Sequence, residues 1–220
     1  SYCFIITGVV YLVFGIILIG LYKKTFKSLA IVDSQKEQIH FSDLKCLLHD
    51  RKLQIFILGS ALSVMVYGQM TVNFSQYLVN NFVNGIKIFA VLMSVNALSV
   101  IFLQQFISRL TRKNSSLMAV VYGTSMITLS QFGFAFSHNT ICLIISMIVF
   151  TIGEIMIVPA EYILIDMIAP DSLKGSYFGA HALSGIGGVF GPLLGGFILT
   201  NYGGIPMFLS YAFIAIMSMG

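Results

Sequence analysis

A chain of 220 residues that is 57% hydrophobic and 9% charged carries more apolar side chain than a soluble globule of that size can cover with polar surface. Its formal net charge of +4 does not mark a nucleic-acid partner, because the basic residues follow the connections between apolar segments and do not gather on one face. No phosphate-cradling Gly-rich loop, clustered His/Cys ligand set or nucleophile–base motif occurs, so neither enzymatic catalysis nor a metal or other cofactor is expected.

Seven apolar stretches follow in chain order, roughly at residues 2–22, 53–77, 86–107, 117–137, 141–168, 176–199 and 204–220. Most approach or exceed the ~20 residues needed to cross ~30 Å of hydrocarbon. The first has neither a basic flank before it nor a small-residue cleavage site after it, so it reads as a span and not a signal peptide. The long first connection carries Lys23, Lys24, Lys27, Lys36, Lys45, Arg51 and Lys52, and within it Ser42 can cap a short surface helix through Leu48. The third connection carries Arg109, Arg112 and Lys113, and the fifth Lys174; the even connections hold only Lys87. By the positive-inside pattern the chain enters from outside and ends in the cytoplasm, in lipid of the cell (inner) membrane. Later connections are short, which makes neighbouring helices antiparallel and packed. The fold class is therefore an all-α membrane protein with seven transmembrane helices: one helix (1–22), a cytoplasmic linker (23–52) and a six-helix bundle (53–220). Trp is absent, leaving tyrosines such as Tyr22, Tyr77 and Tyr202 to anchor at the interfaces. Cys3, Cys46 and Cys142 read as buried small hydrophobes, with a Cys3–Cys142 bridge as the alternative.

Polar residues inside these stretches are the candidates for work. Gln69, Asn73, Gln76 and Tyr77 repeat at helical spacing, with Tyr67 nearby, and Asn96 and Gln131 lie at membrane depth. Such a stripe lines a water-filled cavity or joins helices by hydrogen bonds worth ~0.6 kcal/mol each. Glu154 lies deep in the fifth stretch, where a carboxylate costs ~2.5–3.5 kcal/mol and must pair, face water or take up a proton. Glu161 follows two turns later on nearly the same face, and Asp166 lies near the interface. Pro159 and Pro192 interrupt helix interiors, so both are expected to face protein. Around Pro192 the sixth stretch presents Gly187, Gly191 and Gly195 on one face, with Gly196 beside them, a surface on which a neighbouring helix can pack closely or slide. His181 lies near the start of that stretch. Asn73-Phe-Ser matches the glycosylation pattern but is expected to be buried.

These motifs resemble the major facilitator superfamily of secondary transporters, and most closely its drug:proton antiporters. Gly187-x-x-x-Gly191-Pro192-x-x-Gly195-Gly196 matches the superfamily's Gly-x-x-x-Gly-Pro-x-x-Gly-Gly pattern. Gln104-x-x-x-Ser108-Arg109-x-Thr111-Arg112-Lys113 is similar to its loop motif at the three basic positions and departs from it at Gln104, Ser108 and Thr111. Gly153-Glu154-x-x-x-x-Pro159-Ala160 is similar to the family's tenth helix. The resemblance implies that residues 2–22 are helix 6 and the remaining stretches helices 7 to 12. It further implies a piece of a longer protein, with helices 1–5 in a missing N-terminal half and helix 12 cut near Gly220. It implies alternating access about a midplane site, here proton-coupled efflux of an amphipathic or cationic small molecule. Glu154, Gln69, Asn73, Tyr77, Tyr67, Asn96 and Gln131 would form the substrate and proton pathway. Arg109, Arg112, Lys113 and Glu161 would form a cytoplasmic gate. An uptake symporter for a peptide, sugar or other small solute is the alternative, and an anionic substrate would call for a basic group at membrane depth, which these residues lack. A seven-helix receptor fits the topology but not the short loops or the glycine-rich helix.

Overall fold

A computed structural model describes residues 2–29, 49–112 and 116–219. The surface helix expected after Ser42, most of the basic first connection, Cys46 and Lys113 lie outside the described residues, as do the side chains of Cys3, Tyr22 and Arg112. The chain forms two units, Ser1–His40 and Phe41–Gly220. In the first, α1 (Tyr2–Leu29) is a single helix whose apolar side chains, Leu12 and Ile16 among them, are exposed.

The second unit holds α2 (Arg51–Asn81), α3 (Gly85–Arg112), α4 (Ser116–Ala135) and α5 (Thr140–Ile168), then α6 (Lys174–His181), α7 (Gly187–Tyr202) and α8 (Gly204–Met217). Short 3-10 turns at Asp171–Leu173 and Ala182–Ile186 join α6 and α7 into one apolar rod, Asp171–Tyr202, long enough to span a bilayer. Among the described residues there is no strand, five helical segments have the length and hydropathy to cross a membrane, and Thr7–Leu21 and Gly204–Met217 are shorter apolar helices. Large apolar side chains cover the outside, as Phe102 (74% exposed) and Phe106 (69%) do on α3. That surface suits lipid and would not survive in water. Among the described residues the chain is an all-α integral membrane protein, with five helical segments of membrane-crossing length and two shorter apolar helices beside them.

The helices end where local chemistry stops them. Asn139 caps α5 through the amide of Cys142 at 2.8 Å, and Pro170 follows its last residues. Gly203, at φ 89°, makes the turn from α7 to α8 in a conformation that favours glycine. At the end of the bundle bearing Arg51, Arg109 and Lys174, Asp50 caps α2 by accepting from Lys52 N (2.9 Å) and Leu53 N (3.4 Å). Its other oxygen accepts the Tyr177 hydroxyl at 2.6 Å, which ties α2 to α6. This hydrogen bond from Tyr177 holds the Asp50 carboxyl below its ordinary 3.8, opposed by desolvation and assisted by the amides of Lys52 and Leu53. A carboxyl depressed by folding stabilises the fold above its unfolded value, and that contribution is lost as pH falls through the lower folded value. Asp50→Ala is therefore expected to lower stability by about 1 kcal/mol at neutral pH, and the difference from wild type is expected to vanish in strong acid. Thermal unfolding in detergent across pH checks both.

Two packing centres hold the bundle. Far from the basic end, Phe74, Phe134, Phe208 and Tyr77 interlock with ring centroids 4.7 to 5.8 Å apart. At the basic end, Leu53, Ile165, Ala169 and Tyr177 form a smaller core. Tyr77 is thus buried under Phe208 and not an interfacial anchor, whereas Tyr202 is exposed as expected. Cys142, in the first turn of α5, is exposed and free, not a buried hydrophobe.

α7 lies directly on α2. A Cβ at Gly187 would meet the Ala61 carbonyl oxygen, and one at Gly191 would come within 2.9 Å of Met65 Cα, so only bare backbone fits. Gly195 is closed by the Asn73 amide and the Tyr211 hydroxyl. Gly196 differs: the nearest atom to its Cβ would be Asn73 Oδ1 at 3.5 Å, an ordinary contact. Pro192 is half-buried against Gly68, as the need to shelter freed backbone predicts.

Candidate functional site

Glu154 is the central residue of α5, with fourteen helical residues on either side. The helix is turned so that Gly153 abuts Gly123 of α4: a Cβ on Gly123 would lie 2.9 Å from the Gly153 carbonyl oxygen. The next residue, about 100° further round the helix, faces α3. There Asn96 Nδ2 donates to Glu154 Oε2 at 3.1 Å and to Thr151 Oγ1 at 3.0 Å. Thr151 in turn donates to the Met147 carbonyl at 2.8 Å and is fully buried. The group is an acid, an amide and a hydroxyl at mid-helix. The ion pairs among the described residues are Lys174–Asp166, Lys174–Asp171 and His181–Glu161, so no basic side chain balances Glu154. Thr151 was not singled out in the sequence, although its place one turn before Glu154 marks the same face.

Glu161 lies two turns along α5, at about 10.5 Å by helical rise. Ser60 of α2 lines the same cavity as its carboxylate. His181 Nε2 stands 3.9 Å from Glu161 Oε2, too far for a hydrogen bond and an ion pair only when the ring is protonated. Phe56 and Tyr162 enclose the imidazole, with centroids at 5.4 and 5.9 Å. Ser60, Ser63, Phe56, Lys52 and Glu161 help line a cavity of about 340 Å³ at the basic end. Arg109 is exposed on α3 and makes no ion pair with Glu161 among the described residues. Of the other gate residues foreseen from the loop motif, Lys113 and the Arg112 side chain lie outside the described residues.

The polar stripe of α2 divides. Gln69 and Asn73 are buried and reach other helices: Gln69 Nε2 donates to Gln131 Oε1 at 3.4 Å, and Asn73 Nδ2 to the Pro192 carbonyl at 3.1 Å and the Tyr211 hydroxyl at 3.3 Å. The Tyr211 hydroxyl donates to the Gly191 carbonyl at 2.7 Å. These contacts are those of helix-joining groups, and they clamp α2, α7 and α8 around the Gly-Pro motif. Burial of Asn73 also closes its glycosylation pattern. Gln76 is exposed. Tyr67 sits edge-on to Phe150 (6.1 Å), and its buried hydroxyl has no hydrogen-bond partner among the described residues. Gln69 Oε1 and Gln131 Nε2 are likewise buried without partners.

Comparison with known proteins gives one family. The profile of the Major Facilitator Superfamily matches residues 1–184. The chain is similar to the uncharacterized MFS-type transporter YqjV of Bacillus subtilis, at 30% identity over 94% of this chain and 51% of that protein. It is similar to the uncharacterized MFS-type transporter YdeE of Escherichia coli, at 35% identity over 78% of this chain and 44% of that protein. A Na(+), Li(+), K(+)/H(+) antiporter of Planococcus maritimus is 25% identical over 64% of this chain and 37% of its own length. The chain spans about half the length of the curated relatives it matches.

Proposed function

The chain belongs to the Major Facilitator Superfamily, and we propose that it supplies the C-terminal half of a proton-coupled exporter of amphipathic or cationic small molecules. In this reading α1 is the last helix of the N-terminal half, the residues between α1 and α2 link the halves, and α2 to α8 form the second half. The bundle's basic end faces the cytoplasm of the cell (inner) membrane. Glu154 carries the work, because an acid at mid-membrane with only amide and hydroxyl neighbours has two ways to be neutral. It takes up a proton, or it holds a cation. The two exclude each other, and exclusion at one site is the elementary requirement for exchange. Alternating access then exposes that site to one side at a time, by rocking of the two halves. Asn73, Tyr211 and the α7 glycines keep the second half rigid while it moves, and Gln69 and Gln131 stay inside it.

Export of a monovalent metal ion is the second reading, favoured by the named activity of the Planococcus relative. Everted membrane vesicles carrying the intact protein separate the two. With a respiration-driven pH gradient reported by acridine orange, added ethidium is expected to dissipate the gradient and to accumulate inside. Dissipation by NaCl or KCl with no response to ethidium would favour metal-ion exchange, and no response to either would contradict antiport.

A further inference from the structure

We propose that the basic-end cavity, Glu161 and Tyr67 form a proton inlet to Glu154. This rests on the reading of Glu154 as the exchange site. Glu154 and Glu161 lie on nearly one face of α5, about 10.5 Å apart along its axis, too far for a proton to pass directly. The Tyr67 ring on α2 packs edge-on against Phe150, about one turn of α5 before Glu154, and its buried hydroxyl has no hydrogen-bond partner among the described residues. A chain of carboxyl, water, hydroxyl, water and carboxyl has four links of about 2.7 Å, roughly 11 Å in all, enough to cover the axial rise between the two residues. Ordered water is expected where a buried polar atom lacks a protein partner.

The groups around the route suit proton entry. Glu161 meets His181 from α6, and Ser60 and Lys52 from α2 line the same cavity, Lys52 near the exposed surface. Glu154 meets Asn96 from α3 and Thr151 from its own helix. A proton entering the cavity protonates the Glu161 carboxylate. The acid then gives its proton through water to the Tyr67 oxygen, while the Tyr67 O–H passes its own proton through water to the Glu154 carboxylate. Rotation of the hydroxyl resets the chain, and the phenol stays neutral overall. Phe150 holds the Tyr67 ring edge-on, so the hydroxyl is positioned without a hydrogen bond of its own.

The test reconstitutes the intact transporter in liposomes with a trapped pH dye and drives proton movement with tetraphenylphosphonium. Tyr67→Phe, which keeps the ring on Phe150, and Glu161→Gln are each expected to slow proton flux from the basic side about tenfold. Tetraphenylphosphonium binding is expected to stay at the wild-type level in both, a split that a loss of folding would not give. Wild-type flux in both variants, with flux abolished in Glu154→Gln, would overturn the inlet and leave the exchange site standing. Wild-type flux in Glu154→Gln would overturn the exchange site itself.

Discussion

Glu154→Gln in the intact transporter is expected to abolish gradient-driven ethidium export, lowering it at least about tenfold, while leaving expression and thermal stability equal to or above wild type. The amide keeps an oxygen for Asn96 Nδ2, now 3.1 Å from Oε2, so local packing survives. What disappears is the negative charge, which at mid-bilayer costs ~2.5–3.5 kcal/mol. Removing it relieves the fold and removes the only group in the cluster that can hold either a proton or a cation. Loss of transport with gain of stability is the signature of a functional acid. Asn96→Ala is expected to give a milder defect, since the carboxyl itself remains.

Gly191→Ala is expected to damage the bundle strongly. A Cβ there would lie 2.9 Å from Met65 Cα and 3.0 Å from its carbonyl carbon, both backbone atoms that cannot turn aside. α7 would have to lift from α2, which costs about 1–3 kcal/mol and strains the Tyr211–Gly191 and Asn73–Pro192 hydrogen bonds. Gly188→Ala, one turn position away, would place its Cβ 3.7 Å from Val64 Cγ1. That is normal contact, and the helix-propensity gain of up to about 1 kcal/mol then makes it neutral or stabilising. Melting temperatures of the two variants in detergent are expected to move in opposite directions.

Much of the architecture is readable from hydropathy alone, because a bilayer demands long apolar helices and nothing else satisfies the backbone there. Glu154 is readable for the same reason: a buried acid in such a helix stands out. Which face of each helix turns inward is far less readable, because lipid and protein core are equally apolar and no amphipathic pattern separates them. Tyr77 and Cys142 show the consequence. Depth along the helix suggested an anchor and a buried thiol, and in the bundle they are the reverse. Glycines are the better guide to rotation, since Gly187, Gly191 and Gly195 do face α2. The motif could not show that Gly196 has room to spare. Nor could spacing pair Asn73 with Tyr211, or Gln69 with Gln131, since those contacts exist only after three or more helices have packed.

In the proposed exchange one carboxyl binds a proton and a cation in turn. Proton release on ligand binding reads this directly: purified intact transporter in weakly buffered detergent, titrated with tetraphenylphosphonium while a pH indicator is followed. Release of a proton by the wild type and none by Glu154→Gln is the result expected. Equal release by both proteins would contradict it.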